Sequence, residues 1–248
     1  MLTDKQDAFG HEMYDCLTNE KRRNYIIEIV ERDDGNIETT GGPARYLDDY
    51  EKWPLYYKKA IRYARGRVLD IGCGAGRHAF YLQGKGVDVV GIDNSPLAIK
   101  TCQQRGIKNV QVLSINQVNS KLGIFDTILL MGGNFGLFGS FEGAKRLLKK
   151  LYRITSLQGR IIADTLDIYK TDNPDHLSYH EFNRKRGRMG GQVRMRVRYK
   201  KYATPWFDYL MVSKDEMENI LDGTGWKVAK YIDSEGPAYI AIIEKKKR

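Results

Sequence analysis

Short apolar runs alternate with amphipathic segments through the middle of the chain. The runs predict five buried strands, at residues 67–72 (RVLDIG), 87–93 (VDVVGID), 109–115 (NVQVLSI), 125–132 (FDTILLMG) and 159–167 (GRIIADTLD). The segments 76–85, 96–105 and 142–155 have helical spacing, and Ser95 with Pro96 marks the start of the second. Strand–helix alternation of this kind predicts a doubly wound parallel sheet in an α/β fold.

The pattern changes after residue 167. Residues 169–183 are polar, and the following segment GQVRMRVRYKKY alternates with period two. Val193, Met195, Val197 and Tyr199 share one face, and Arg194, Arg196, Arg198 and Lys200 share the other, which predicts a half-exposed antiparallel strand. Residues 206–213 are a candidate partner strand. A helix at 214–222, capped by Ser213, and an edge hairpin at 226–232 and 238–245 complete the chain.

The first 45 residues are polar and mixed, and 32–46 (RDDGNIETTGGPARY) has the Gly, Asp and Pro content of a loop. Residues 48–64 have helical spacing, with a break or first turn at Pro54. We therefore divide the chain into an N-terminal extension, 1–45, and a main domain, 46–248. Within the main domain, 168–212 is an antiparallel β insertion after the fifth strand.

Composition and cysteine usage indicate a cytoplasmic protein. Hydrophobic residues make up 42% of the 248, and no apolar run approaches the ~20 residues that cross a bilayer. The N-terminus lacks the apolar core of a secretory signal. Cys16, Cys73 and Cys102 have no metal-ligand spacing, which indicates free thiols and no structural metal.

The formal charge of +10 is concentrated in two short segments. Residues 184–201 hold nine basic and no acidic side chains, and 245–248 hold four more basic ones. The other 28 basic residues face 31 acidic ones, so the rest of the chain is close to neutral. The positive excess, which could suggest nucleic acid, therefore lies in these two segments.

The stretch RVLDIGCGAGRHAFYL carries the clearest chemistry. Gly72, Gly74 and Gly76 allow a sharp turn into a helix whose first N–H groups are free. The third glycine is one residue too early for a dinucleotide fingerprint, and Asp70 would repel a pyrophosphate but suits an ammonium or another cationic centre. Asp93, about twenty residues on, can accept ribose hydroxyls. Alternatively it caps the next helix, a role that Asn94 or Ser95 could also fill.

VLDIGCGAGRHAFYL, VVGIDNSPLAI, FDTILLMGG and GRIIADT together resemble successive motifs of the class I S-adenosylmethionine-dependent methyltransferases. The resemblance covers residues 46–244. It implies a seven-stranded sheet whose last strand is antiparallel, an N-terminal helical cap, and a β insertion that acts as a substrate-side lid. It also implies that S-adenosyl-L-methionine is the cofactor and S-adenosyl-L-homocysteine the product.

The same resemblance suggests where the cofactor lies. Its methionine part would lie over the glycine turn with Asp70 near the ammonium, its ribose at Asp93, and its adenine beside Asn94 and the end of the third strand. Many relatives have an acid for the adenine where this chain has Ser114, so Ser114 or Asn116 is expected to take that hydrogen bond. The full expected cofactor set is Tyr46, Trp53, Asp70, Gly72, Cys73, Gly74, Arg77, His78, Asp93, Asn94, Ser114, Ile115, Asn116, Met131 and Gly132. For Trp53 and Tyr46, ordinary helix packing is an equal alternative.

The acceptor side is less constrained. Asn134 follows the fourth strand without the prolines found in enzymes that methylate base nitrogens. His180, with Tyr179, could position an acceptor or take its proton, but a surface loop is the simpler interpretation of 169–183. His176 and His180 lack a metal signature, so no metal is expected.

The basic strand has three interpretations: a solvated face with structural ion pairs, a contact between Arg196 and a small acidic substrate, or a phosphate track for RNA. Trp206 is a further candidate for the acceptor pocket.

We therefore expect an S-adenosylmethionine-dependent methyltransferase that transfers its methyl group directly to a small-molecule, possibly acidic, acceptor. The candidate catalytic residues are His180 and Asn134. The alternatives are an RNA methyltransferase that uses residues 184–201, and a non-catalytic cofactor-binding module. No membrane association is expected, and the sequence leaves the oligomeric state open.

Overall fold

A computed structural model describes residues 2–246 of the protein. Of the basic tail at 245–248, residues 247 and 248 lie outside the described residues. The helices are α1 (Ala8–Thr18), α2 (Leu55–Ile61), α3 (Arg77–Gly84), α4 (Pro96–Gln104), α5 (Phe141–Arg153), α6 (Pro174–Lys185) and α7 (Lys214–Leu221). The strands are β1 (Ile29–Arg32), β2 (Ile37–Thr39), β3 (Val68–Ile71), β4 (Val89–Asp93), β5 (Val110–Val112), β6 (Phe125–Leu130), β7 (Thr155–Leu166), β8 (Gln192–Tyr199), β9 (Tyr202–Ala203), β10 (Phe207–Leu210), β11 (Trp226–Asp233) and β12 (Ala238–Lys245).

Seven strands form a sheet in the order β11-β12-β7-β6-β3-β4-β5. The neighbours β4 and β5, and β6 and β7, are parallel, whereas β12 is antiparallel to both β7 and β11. β3 is buried along its whole length, as expected for a central strand with helices on both faces. This architecture confirms the predicted doubly wound sheet with one antiparallel strand and its edge hairpin.

A second, antiparallel sheet has the order β10-β8-β1-β2, with β9 paired to β8. The predicted β insertion is confirmed in β8, where Val193, Val197 and Tyr199 are buried. Its other partner, β1, is a finding of the structure, because Ile29 pairs with Arg198 and Glu31 with Arg196. The predicted loop over 32–46 is therefore wrong at β2, which forms a hairpin with β1.

Residues 1–45, predicted as an extension, also supply α1. Asp7 caps this helix, since its Oδ1 accepts the Gly10 N–H at 3.1 Å, and its Oδ2 accepts the Leu97 N–H of α4 at 3.0 Å. One carboxylate therefore joins the starts of two helices. Whether residue 45 is a domain boundary stays a prediction.

The polar segment 169–183, for which a surface loop was the simpler interpretation, is mostly helical. α6 begins with Pro174 in its first turn, and the Asn173 side chain accepts the Asp175 N–H at 2.9 Å. Asn183 is buried and donates to the backbone oxygens of Gly190 and Gln192, both at 3.0 Å. These bonds fasten the end of α6 to the chain that leads into β8.

Contacts divide the chain into two compact units. The first, the cofactor-turn unit, contains the chain up to Trp53, Leu69–Gln117 and Arg194–Phe207. The second, the acceptor-loop unit, contains Pro54–Val68, Val118–Val193 and the chain from Asp208.

Candidate active site

The glycine turn after β3 is the centre of the cofactor-turn unit. The N–H groups of Gly72 and Cys73 both donate to the Ile92 carbonyl, at 2.8 and 3.1 Å, which ties the turn to β4. Gly76 has φ +77° and is the N-cap residue that precedes α3. A Cβ there would overlap Ile107 and lie 2.9 Å from the Cys102 sulfur, so only glycine fits.

Asp70 lies just before this turn and is 1% exposed. Neither of its carboxylate oxygens accepts a hydrogen bond of normal geometry. Burial raises the pKa of Asp70 to about 7; Asp93 adds to the rise, whereas the Arg77 charge and the Ala79 N–H oppose it. A buried acid with so little compensation is costly for the protein, and a cationic group placed beside it would reduce that cost.

Asp93 ends β4 and holds the turn in place. Its Oδ2 accepts the Gly74 N–H and its Oδ1 accepts the Ser95 N–H, each at 2.9 Å. Although part of Asp93 reaches solvent, the protein packed around its carboxylate raises its pKa, and the two backbone N–H groups oppose that rise. The predicted helix cap is Ser95, whose Oγ accepts the Ala98 N–H at 2.9 Å. Each Asp93 oxygen keeps further acceptor capacity, as a ribose contact requires.

The predicted adenine-side residues follow β5. Leu113 donates its N–H to the Asp93 carbonyl at 2.8 Å, which brings this segment to the end of β4. Ser114 Oγ accepts the Asn116 N–H at 3.3 Å, Ile115 is buried, and Asn116 is exposed, as is Asn94.

The aromatic residues before β3 pack against the start of α3. Trp53 is buried, donates Nε1–H to the Asp48 carbonyl at 2.9 Å, and meets the His78 ring edge-on at 5.1 Å. Burial, with the nearby Arg77 charge, holds the pKa of His78 well below its usual range, so it is neutral. Arg77 lies over the Trp53 ring and donates to the Arg45 carbonyl at 3.1 Å.

Two further predicted residues of this unit have well-defined surroundings. Cys73 is a buried thiol whose pKa is raised by its hydrogen bond to Cys102 and by burial, so it packs rather than reacts. Tyr46 donates its hydroxyl to Glu28 Oε2 at 3.2 Å and packs against the cluster that contains Ala75 of the turn.

α1 covers the glycine turn, which the sequence pattern did not indicate. A Cβ on Gly74 would lie 3.3 Å from the Met13 sulfur. Met13, Cys16, Leu47, Ala75 and Ala98 form one buried apolar cluster. The chain's own N-terminal segment therefore packs directly on the turn.

Arg196 and Trp206, predicted on the acceptor side, lie in the antiparallel sheet of the same unit. The Arg196 guanidinium donates two hydrogen bonds to Glu31, both at 2.9 Å, and lies over the Trp206 ring at 4.8 Å. Arg198 donates to the same carboxylate at 3.1 Å. These bonds hold the pKa of Glu31 below its usual range, the Arg196 bond contributing most. Structural ion pairing is the interpretation that this geometry favours.

The loop after β6 belongs to the acceptor-loop unit and is fixed by Asp164. Oδ2 of this buried β7 residue accepts the N–H groups of Gly132 and Gly133, at 3.1 and 2.9 Å, and the hydroxyl of Tyr57. Tyr209 donates its hydroxyl to the Gly133 carbonyl. Asp164 was not among the residues predicted for the site. The sequence feature that could have indicated it is a single acidic residue inside an otherwise apolar strand segment.

The predicted residues of this unit fall into two groups. Met131 is buried, Gly132 is exposed, and Asn134 begins a short 3-10 helix, Asn134–Phe138, anchored by buried Phe135 and Phe138. Tyr179 and His180 are both buried on α6. The His180 ring meets Tyr169 edge-on at 5.8 Å, and Tyr169 donates its hydroxyl to Glu216 at 2.6 Å.

Comparison with known proteins identifies the family. A sequence model of the methyltransferase domain matches residues 64–224, more than half of the chain. The chain belongs to this family. S-adenosyl-L-methionine is the family's cofactor, and the chain is a methyltransferase domain of the class I, Rossmann-like type.

Solved structures support the fold of this methyltransferase. An S-adenosylmethionine-dependent methyltransferase from Bacteroides fragilis, crystallised with S-adenosyl-L-homocysteine, has a TM-score of 0.83 at 23% identity and covers 100% of this chain and 98% of its own. The CcbJ methyltransferase from Streptomyces caelestis has a TM-score of 0.57 at 12% identity, over 79% of this chain and 100% of its own.

Similarity to curated proteins is partial. A tRNA U34 carboxymethyltransferase from Psychromonas ingrahamii is 42% identical over 115 residues, which are 43% of this chain and 33% of that protein. Another, from a Geobacter species, is 35% identical over 88 residues, 33% of this chain and 27% of that protein. The chain spans between about a quarter and a half of the length of the curated relatives it matches.

Within residues 2–246, no group of three or more His, Cys, Asp or Glu side chains is arranged to hold a metal ion. Within the same residues, every helix is too short or too polar to cross a membrane.

Proposed function

We propose that this methyltransferase transfers the methyl group of S-adenosyl-L-methionine to a small molecule. The observation that carries the proposal is the packing of α1 on the glycine turn, with the Met13 sulfur 3.3 Å from the place of a Gly74 Cβ. A turn covered by the chain's own segment favours an acceptor small enough to be enclosed. Enclosure also excludes water, which would weaken the electrostatic contacts in the site.

Two features of the cofactor-turn unit fit the cofactor. Asp70 is a buried carboxylate whose pKa is raised by burial, and the positive charge of the methionine part's ammonium would offset that cost. The turn needs glycine at both Gly74 and Gly76, which have φ values of +55° and +77°, and a turn without side chains suits close approach to a ligand. We assign Asp93 to the ribose hydroxyls, and the segment Ser114–Asn116 with Asn94 to the adenine.

The cofactor, when bound, supplies a sulfonium whose methyl group is transferred by direct displacement. Such a methyl donor needs little activation, so the protein's task is to align the acceptor with the methyl group. Asn134 and His180, with Tyr179, are our candidates for acceptor contacts in the acceptor-loop unit. If the acceptor carries a proton that must leave, His180 is the candidate base.

The ion pairs of the basic strand support a small molecule over RNA. Arg196 and Arg198 both hydrogen bond to Glu31, so a phosphate would have to displace that carboxylate. The same argument weakens our expectation of an acidic acceptor held by Arg196. Arg196 and Trp206 remain candidates for the acceptor pocket through their stacked pair.

RNA is the second candidate acceptor, because relatives of partial coverage are named tRNA U34 carboxymethyltransferases. Filter binding of bulk tRNA, with and without saturating S-adenosyl-L-homocysteine, separates the two candidates. We expect binding that is weak, falls steeply with added salt and ignores the ligand, as for any basic protein. Binding that persists at physiological salt and tightens with the ligand would support RNA instead.

We also infer a reducing, cytoplasmic location. Cys16, Cys73 and Cys102 are all buried free thiols in the structure. Cys73 and Cys102 are hydrogen-bonded neighbours at the glycine turn yet unpaired as a disulfide. Free thiols of this kind are typical of reducing compartments.

A further inference from the structure

A bulge at the start of β7 holds a leucine out in solvent. The pairing of β7 with β6 skips residues 156–159, which protrude from the sheet. The Ser156 hydroxyl donates to a carboxylate of β6 at 2.7 Å, and the Arg65 guanidinium donates to the Gln158 carbonyl at 2.9 Å. Leu157 lies between these two anchors and is 92% exposed. The bulge is therefore fixed on both sides, with a large apolar side chain at its tip.

Basic side chains lie on the segments next to this leucine. Arg65 is exposed and holds the bulge itself. Arg153, also exposed, is the last residue of α5, just before β7. The Lys245 ammonium, at the end of β12, donates to the carbonyls of Tyr152 and Thr155 at 2.8 and 2.7 Å. Cations from three different parts of the chain therefore lie around the start of β7.

The segment before β6 extends this surface. Ile124 is 52% exposed, and the neighbouring Phe125 N–H donates to the Ile154 carbonyl at 2.8 Å, which brings this segment to the start of β7. Lys121 is exposed a few residues earlier. We call the following six residues the Leu157 face: Arg65, Lys121, Ile124, Arg153, Leu157 and Lys245. All six belong to the acceptor-loop unit.

Two acids close to the Leu157 face are held by other groups. Asp126 accepts the Ser156 hydroxyl and the Arg67 N–H, and Glu244 pairs with Arg160 at 3.0 Å. The face also lies apart from the candidate acceptor residues, because it is at the start of β6, whereas the loop that carries those residues follows the end of β6. The proposed reaction therefore leaves these exposed side chains without a role.

We propose that the Leu157 face docks this protein on a membrane surface that contains anionic phospholipids. Lysine and arginine side chains are attracted to anionic headgroups, and an apolar side chain that enters the interface adds to the binding. A lone protruding leucine suits a fluid interface, which closes around it, whereas a protein partner would need a matching pocket. RNA is disfavoured, because single strands bind through aromatic stacking and the exposed apolar side chains here, Ile124 and Leu157, are aliphatic.

Docking of this kind is peripheral and needs no membrane-spanning helix. It differs from the expectation of no membrane association, which rested on the lack of a spanning segment. The starts of β6 and β7 would face the lipid, and the loop after β6 would point away from it, open to dissolved acceptors. The inference does not depend on which acceptor is methylated.

Vesicle sedimentation tests the proposal. Purified protein is mixed with sucrose-loaded vesicles of phosphatidylcholine alone, or of phosphatidylcholine with roughly one third phosphatidylserine, and bound protein is measured in the pellet. We expect the anionic vesicles to bind the protein at least about tenfold more tightly, with the difference shrinking as salt is added. Failure of the anionic vesicles to bind the protein overturns the proposal.

Matched variants separate this face from the general attraction of a basic protein. Leu157→Asn should lower the affinity for anionic vesicles by at least about fivefold, and Arg153→Gln by about fivefold. Leu55→Asn, at a leucine that is 66% exposed at the start of α2, and Arg22→Gln, at an exposed arginine of the N-terminal segment, are the controls. Neither control should change the affinity by more than about twofold, because each lies outside the face. All four variants should keep the parent protein's melting temperature and its affinity for S-adenosyl-L-homocysteine.

Three results would contradict the proposal. Equal losses in the controls and in the face variants would reflect net charge and general hydrophobicity alone. Bulk tRNA that binds the parent protein and loses affinity in Arg153→Gln, without vesicle binding, would assign the face to nucleic acid. Self-association in sedimentation velocity that Leu157→Asn abolishes, again without vesicle binding, would assign it to a second copy of the chain.

Discussion

Replacing Asp70 with asparagine should separate the free-energy cost of burying this carboxylate from its contribution to ligand binding. Its pKa is raised from 3.8 to about 7, chiefly by burial. A shift of roughly three pH units corresponds to about 4 kcal/mol held against the ionised form. Because the folded protein binds this proton more tightly than the unfolded chain, the ligand-free protein should lose stability as pH rises from about 4 to about 7. Asp70→Asn removes that loss, so it should melt at a higher temperature than the parent protein at pH 8 and close to it near pH 4.

The affinity for the ligand should change with pH in the opposite direction to the stability of the ligand-free protein. If Asp70 holds the ammonium as proposed, that ammonium pairs with the ionised carboxylate, so the affinity of S-adenosyl-L-homocysteine for the parent protein should rise about fivefold from pH 6 to pH 7 and level off near pH 8. Asp70→Asn should bind at least about tenfold more weakly at pH 8, with no such rise. Isothermal titration calorimetry and thermal unfolding at each pH measure the two effects.

Asp126 provides a control, because its pKa is shifted in the opposite direction to that of Asp70. It accepts the Ser156 hydroxyl at 2.7 Å and the Arg67 N–H at 3.0 Å, and these bonds lower its pKa. Asp126→Asn should therefore lower stability at neutral pH, with the deficit shrinking as pH falls below the ordinary aspartate range. The reasoning about Asp70 would be refuted by parent affinity that ignores pH, or by an asparagine variant that is less stable yet binds normally.

Three further perturbations test other parts of the site. In Gly76→Ala, the new methyl group would overlap Ile107 from a left-handed backbone, so the melting temperature should fall and ligand binding should be abolished. Gly84→Ala, at the last residue of α3, places a Cβ with no atom within 4 Å and should cause neither effect. Calorimetry compares the two variants. Asp164→Asn removes the charge that holds the loop after β6, so its kcat should fall at least about tenfold while ligand affinity changes little, as single-turnover label transfer and calorimetry would show. Glu31→Gln should lower the free energy of unfolding at neutral pH by up to about 1 kcal/mol, because a partly exposed ion pair contributes little to stability. Denaturant unfolding measures this difference in stability, which should vanish as pH falls below the ordinary glutamate range.

The central sheet could be predicted because its parallel strands are short apolar runs buried on both faces. β3, β4, β5 and β6 all lie within the segments that the pattern indicated, whereas β7 begins at Thr155, before the predicted segment 159–167. The hairpin β1–β2 could not, because Glu38 faces solvent and the partner strand β8 is about 160 residues away in sequence. A polar strand whose pairing is non-local has no local signature.

The glycine turn after β3 was likewise more predictable than the anchoring of the loop after β6. Asp70, Gly74 and Asp93 belong to one contiguous motif set whose spacing already implies a turn between two strands. Asp164 carries no such spacing, and its role depends on its burial and on the N–H groups of the loop that it accepts. Only the folded structure reveals that an acid in an apolar strand fixes a loop.

The most direct test of the account is the destination of the methyl group. The purified protein is incubated with methyl-labelled S-adenosyl-L-methionine and an unfractionated extract that contains both RNA and metabolites, and the products are separated by size before any nuclease treatment. We predict label in a new compound of low molecular mass, with none in the RNA, and its formation should be inhibited by S-adenosyl-L-homocysteine. Label retained with tRNA and released only by nuclease would contradict the proposal that a small molecule is the acceptor.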